Sequence, residues 1–218
     1  MKNVPRIFLE TDIATGAQIP VAREVSHYLT RVMRRHDCLV FGDGNEYAAT
    51  LSDDGRILTI GDKTSHIDPS NDITLMFAPI KRTDDLLNMA TQMGVGRFLP
   101  VITDRTNTNH IKWERMQKIV VEASEQSNRN SVPTILPPCR FSELDLSNLV
   151  FADERAAYGH ATAQMPTVIK SVLIGPEGGF SDAEFGALDS AGACGISLGK
   201  TILRAEVAAV VAIAKVIK

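Results

Sequence analysis

From Ile73 onward the chain alternates short apolar runs with stretches of helical length, and this alternation constrains the fold more than any other feature. Residues 73–78, 97–102, 149–152, 171–174 and 194–198 read as strands. Between them, 83–93 sets Leu86, Leu87, Ala90 and Met93 at helical spacing, with Gly94 as the stop. Residues 111–127 place Trp113, Met116, Ile119, Val120 and Ala123 on one side of a second helix. A third spans 181–191 up to Gly192, and the last begins near Ile202. Strands alternating with helices predict an α/β unit with a mostly parallel sheet covered on both faces. Ligands then bind beyond the carboxyl ends of the strands.

The first seventy residues follow a different pattern. Short runs at 38–41, 47–51 and 56–60 read as strands separated by turns at Gly42-Asp-Gly-Asn45 and Asp53-Asp-Gly55. One short helix is expected over 23–34. The polar stretch 66–71, with Pro69, marks the boundary, giving a β-rich module over 1–68 and an α/β domain over 69–218.

Bulk properties exclude little. The 218 residues carry a formal net charge of −3, and 44% are apolar, as in ordinary soluble proteins. Nothing global announces nucleic acid, although a local basic patch is enough for RNA. Cys38, Cys139 and Cys194 are scattered and fit neither a disulfide framework nor a metal cluster, and the expected setting is a reducing cytoplasm. MKNVPRIFLE lacks the apolar core of a signal peptide, and the longest apolar run, 207–214, is too short to span a bilayer. No metal is expected.

Three strand ends carry loop signals: 152–155, 175–179 and 198–206. The stretch IGPEGGFSDAEF, from Ile174 to Phe185, reads as strand, glycine loop and helix, with Ser181 and Glu184 in capping-box spacing. No Lys-Ser/Thr pair follows the glycines, and the spacing is not G-x-G-x-x-G, so neither a P-loop nor a dinucleotide fingerprint is present. Glu177 would repel a phosphate. A ligand that is neutral or cationic near the loop fits better, and S-adenosylmethionine, with its sulfonium and ammonium, is one.

Gly175-Pro-Glu-Gly-Gly-Phe180 followed by Leu198-Gly-x-x-Ile-Leu-Arg-x-Glu206 resembles the paired signature of the RsmE family, SPOUT-class methyltransferases of small-subunit ribosomal RNA. The resemblance extends to 89–100, to Glu122-Ala-Ser-Glu-Gln-Ser-Asn-Arg129 with Pro133, and to Arg6-Ile-Phe8 with 27–34. Met89, Gln92, Thr201 and Val207 stand where the family pattern has lysine, glutamate, arginine and threonine. The resemblance implies a trefoil-knotted SPOUT sheet behind an N-terminal PUA-like β-barrel that binds RNA. It also implies a homodimer, with N3-methyluridine in 16S rRNA as product. The cofactor would be S-adenosylmethionine. Its contacts would be Ala152 and Glu154 in the first loop, and Leu173, Ile174, Gly175, Pro176, Glu177, Gly178 and Gly179 around the second. Leu198, Gly199, Ile202, Leu203 and Arg204 in the third would complete them.

Methyl transfer to uridine N3 displaces a proton and spreads negative charge over the flanking carbonyls. Arg204 is placed to stabilise that charge, and Glu206 either accepts the proton or holds Arg204 in place. Arg23, His27, Arg31, Arg34, Arg35 and His36 form the densest positive stretch, the candidate for phosphate contacts, with Arg6 joining it. Arg129, at helical spacing from Glu122 and Gln126, is a further candidate near the RNA. A non-catalytic rRNA-binding or ribosome-assembly factor with the same fold is the alternative. A nucleotide-dependent enzyme is disfavoured by the missing phosphate-loop lysine.

Overall fold

A computed structural model describes residues 4–68, 72–107 and 112–217. The chain forms two compact units: Met1–Ser70 with Val121–Val132, and Asn71–Val120 with Pro133–Lys218.

The first unit is a curled five-stranded sheet of β1 (Arg6–Phe8), β2 (Gln18–Pro20), β3 (Asp37–Phe41), β4 (Glu46–Leu51) and β5 (Ile57–Lys63), in the order β1-β3-β4-β5-β2. Only β1 and β3 pair in parallel; the other neighbours are antiparallel. Alternate residues, among them Val40, Leu51, Leu58 and Ile60, bury against Leu29 to make its core. The segment expected as one short helix is α1 (Arg23–His27) continued by a π-helical stretch, Tyr28–Met33. Thr30 Oγ1 donates back to the Ser26 carbonyl at 2.8 Å, a bond that loosens the regular ladder. Arg34 at φ 54° closes the stretch, and the Arg35 N–H donates to the Leu29 carbonyl.

Arg6 is the centre of this unit. Its Nε donates to Glu46 Oε2 at 2.9 Å, its Nη2 to Asn130 Oδ1 at 2.9 Å and its Nη1 to the Ser124 carbonyl at 3.2 Å. The guanidinium also lies 4.5 Å over the Phe41 ring. The Phe8 N–H donates to Glu125 Oε1, and Asp68 Oδ2 accepts from the backbone of Asn130 and Ser131. These bonds are why 121–132 packs with the first unit, although the sequence pattern reads it with the second.

The second unit holds β6 (Thr74–Phe77), β7 (Arg97–Ile102), β8 (Thr134–Ile135), β9 (Cys139–Arg140), β10 (Val150–Ala152), β11 (Ser171–Ile174) and β12 (Cys194–Ile196). The sheet order is β12-β10-β11-β6-β7-β8, with β9 also on β7, and every pairing is parallel. The helices are α2 (Thr83–Gln92), α3 (Trp113–Gln126), whose residues from Val121 on belong to the first unit, α4 (Asp182–Ser190) and α5 (Ala205–Val216). The expected parallel α/β sheet is therefore present, with β6, β7, β10, β11 and β12 apolar and mostly buried. From β12, at the sheet edge, the chain returns past the carboxyl ends of the strands. It then packs α5 against α2 and β11. No helix among the described residues is long and apolar enough to cross a membrane.

Candidate active site

β10, β11 and β12 are adjacent, and their three loops leave from one edge of the sheet. They enclose a cavity of about 420 Å³, within the range of small-molecule sites. Of the residues expected to touch a cofactor, Ala152, Glu154, Ile174, Gly175, Pro176, Glu177, Leu198, Gly199, Ile202, Leu203 and Arg204 line it. Leu173 does not; it points into the core beneath. Gly178 and Gly179 do not line it either.

The glycine loop is held from below and from the side. Phe180 is buried in a cluster of rings, edge-to-face with Phe151 at 6.2 Å and with Phe185 at 5.5 Å. Arg105 Nη1 donates to the Gly178 carbonyl at 2.6 Å. The capping box forms as its spacing predicts: Ser181 Oγ accepts the Glu184 N–H, and Glu184 Oε2 accepts the Ser181 N–H at 2.8 Å. Glu184 Oε1 also accepts the Asp104 N–H. Glu177, the residue that argued against phosphate, accepts the Lys81 N–H at 3.0 Å and so joins the loop to the approach to α2.

Two close approaches depend on glycine. Gly179 has φ +70°, and a Cβ there would lie 1.9 Å from Glu154 Oε1. A Cβ on Gly195 would lie 2.8 Å from Asp153 Oδ2. Asp153 is buried and is clamped by Arg155, which donates to it from Nε and Nη2, reaches Asp189 as well, and stacks 4.1 Å over Phe185. The shared guanidinium holds the Asp189 carboxyl below the usual carboxylate range. Glu154 behaves oppositely. Burial, and then the neighbouring Asp153, push its carboxyl up, with Arg105 and Arg155 opposing. Its carboxylate accepts no hydrogen bond among the described residues and faces the cavity.

The third loop delivers Arg204 as the residue capping α5, exposed on the cavity wall, and Glu206 in its first turn, buried. Among the described residues Glu206 is paired with Arg82 rather than with Arg204: Arg82 Nη1 lies 3.7 Å from Glu206 Oε1. Arg82 and Lys81 also line the cavity, two residues that the sequence motifs do not mark. Nothing in their local spacing distinguishes them from ordinary charges at a helix start.

The first unit presents Arg23, His27, Arg31 and Arg34 to solvent along α1 and its π-helical continuation. Arg35 is half-buried and lies 3.5 Å from Asp37. Arg6 and Arg129 are not part of this surface. Arg6 is buried with its donors used internally, and Arg129 follows a left-handed Asn128 beyond the end of α3. Arg129 is also buried, which pulls its pKa down while Asp68 works against the shift. Among the described residues no three His, Cys, Asp or Glu side chains form a metal-holding group.

The parallel sheet with three loops converging beside its C-terminal helix is the SPOUT architecture. A family model for the RNA methyltransferase domain matches residues 68–217. The ribosomal RNA small subunit methyltransferase E of Rickettsia conorii is 32% identical, over 97% of this chain and 94% of its own length. The protein of that name from Synechocystis is 29% identical over 97% and 76%. A crystal structure of ribosomal RNA small subunit methyltransferase E from Neisseria gonorrhoeae, bound to S-adenosyl methionine, superposes with a TM-score of 0.83 at 28% identity. That match covers 98% of this chain and 96% of the other. The chain belongs to the ribosomal RNA small subunit methyltransferase E family of RNA methyltransferases.

Proposed function

We propose that this protein transfers a methyl group from S-adenosylmethionine to N3 of a uridine in small-subunit ribosomal RNA. The observation that carries this reading is the convergence of three loops on one cavity with Glu154, Arg204 and Glu206 on its walls. The cavity suits the cofactor. The Glu154 carboxylate, which accepts no hydrogen bond among the described residues, offsets the cofactor's positive charge, while Ile174, Leu198, Ile202 and Leu203 offer apolar surface to a purine. Family membership and the cofactor-bound relative support the same assignment.

Bound S-adenosylmethionine supplies an electrophilic methyl carbon on sulfur. The chain's own residues do the rest. The loop walls hold the uridine in line with that carbon and exclude water. Glu206 takes the N3 proton, N3 forms the new bond to carbon, and the electron pair of the broken C–S bond stays on sulfur. Arg204 stabilises the charge that builds on a flanking carbonyl. The basic face of the first unit holds RNA phosphates. We take the active form to be a homodimer, for which exposed Tyr158, Met165 and Val168 supply apolar surface.

Cofactor choice is tested by thermal shift. S-adenosylmethionine is expected to raise the melting temperature, with ATP and NAD giving no shift, because only a ligand of the folded state stabilises it. A shift with ATP or NAD alone would refute the assignment. RNA binding is tested at the first unit. Arg31→Ala with Arg34→Ala is expected to weaken rRNA binding and to reduce the log–log salt slope by about two, one for each phosphate the variant no longer neutralises, with cofactor affinity unchanged. An unchanged slope would show that this face does not touch the RNA.

A further inference from the structure

We infer that Arg82 reads the target base, forming with Glu206 and Arg204 a donor–acceptor–donor row that matches the edge of uracil. This rests on the uridine-N3 reading above. Next to the cofactor cavity lies a groove of about 610 Å³ along α2 and the start of α5, lined by Asp85, Asn88, Met89 and Val207. The two share a wall made of Arg82, Ile202, Leu203, Arg204 and Glu206. A methyl donor in the first and a base in the second would therefore meet at that wall.

The wall's chemistry is specific. Uracil presents a carbonyl, an N3–H and a second carbonyl: acceptor, donor, acceptor. Glu206 is buried, with 7% of its side chain exposed, and accepts no hydrogen bond from the described residues; its Arg82 contact is an ion pair at 3.7 Å. A buried carboxylate on a cavity wall with an unfilled acceptor position points to a ligand donor. Arg82 has 55% of its side chain exposed, and both of its ion pairs, to Glu206 and to Asp85, run through Nη1. Its remaining N–H donors bond to none of the described residues and can reach a carbonyl beside an N3–H on Glu206. Arg204 makes no ion pair among the described residues and is free to take the other carbonyl. Cytosine would set an amino donor against a guanidinium and a lone pair against the carboxylate, two mismatches in one row. The row thus discriminates between the two pyrimidines as well as positioning N3.

The test is a cycle between protein and base. Single-turnover methylation is measured for wild type, Arg82→Ala and Arg82→Lys on rRNA whose target uridine is unmodified, 2-thio or 4-thio, since sulfur is a weak acceptor. The wild type is expected to slow about tenfold on the thio base whose sulfur replaces the oxygen read by Arg82. Arg82→Ala is expected to be slower by about ten- to hundredfold on the unmodified base, the range for removing a charged hydrogen bond. It should then be insensitive to that same sulfur, because contacting groups are not additive. Arg82→Lys should fall between, and calorimetric affinity of Arg82→Ala for S-adenosylmethionine should change by less than about threefold. A slowing in Arg82→Ala that is equal on all three bases, or a rate near wild type, overturns the proposal. Methylation by the wild type at an atom other than N3 would overturn the underlying reading as well, and is seen before any variant is made.

Discussion

Replacing Gly179 by alanine is expected to weaken S-adenosylmethionine binding by about ten- to hundredfold, the range for removing a hydrogen bond to a charged group. The left-handed backbone at Gly179 brings its Cα against the Glu154 carboxylate, and a methyl group there would drive that carboxylate off the cavity wall. The strain of an L residue at φ +70° adds roughly 1–2 kcal/mol, a fall in melting temperature of about 2–8 °C. Glu154→Gln should reproduce the weaker affinity without the strain. Gly178 is the less informative position, because a Cβ there meets only Arg105, with Cδ at 3.4 Å, an ordinary contact. The same carboxylate gives a pH signature. Because burial raises the Glu154 pKa, its charge disappears on acidification sooner than that of an exposed glutamate. Affinity for the cationic cofactor should therefore fall at mildly acidic pH, and Glu154→Gln should flatten that limb. Calorimetric titration across pH checks both. Wild-type affinity in Gly179→Ala would separate Glu154 from the cofactor.

The chemical step is expected to fall by about a hundredfold in Arg204→Ala, as when one donor to a developing oxyanion is removed, and by a similar factor in Glu206→Gln. Sequence spacing leaves two roles for Glu206, proton acceptor or support for Arg204. The structure gives it Arg82 as its charged partner, which favours the first. On that basis Glu206→Gln should slow single-turnover methylation even where Arg204 is intact, with cofactor affinity changed by less than about threefold. Rates near wild type in both variants would remove this pair from the mechanism and move the search to Glu154 and Arg82.

The parts of this molecule that are legible in the sequence are those governed by local periodicity. The stripe Leu86, Leu87, Ala90 and the buried runs of β6, β7 and β11 announce helices and strands over several residues, and Ser181 with Glu184 announces a helix start in four. The strands β1, β2, β8 and β9 are two or three residues long, too short to show a period. The partners of long-range charges are hidden for a different reason. Arg6 reads as a basic surface residue until Glu46, Ser124 and Asn130 are seen around it, and residues 121–132 continue a helical pattern whose end is claimed by the other unit. Arg82 is invisible because its meaning lies in Glu206, which the fold, and not the local sequence, brings beside it. Glu177 raises the right question about the ligand, yet its carboxylate is engaged by the Lys81 N–H, while the Glu154 carboxylate on the same wall accepts no hydrogen bond among the described residues.

The central claim is tested most directly by nucleoside mass spectrometry and primer-extension mapping of small-subunit rRNA from cells with and without this gene. One N3-methyluridine is expected to vanish on deletion, to return with the wild-type gene, and to stay absent with Arg204→Ala. An unchanged complement of N3-methyluridine in the deletion strain would contradict the account.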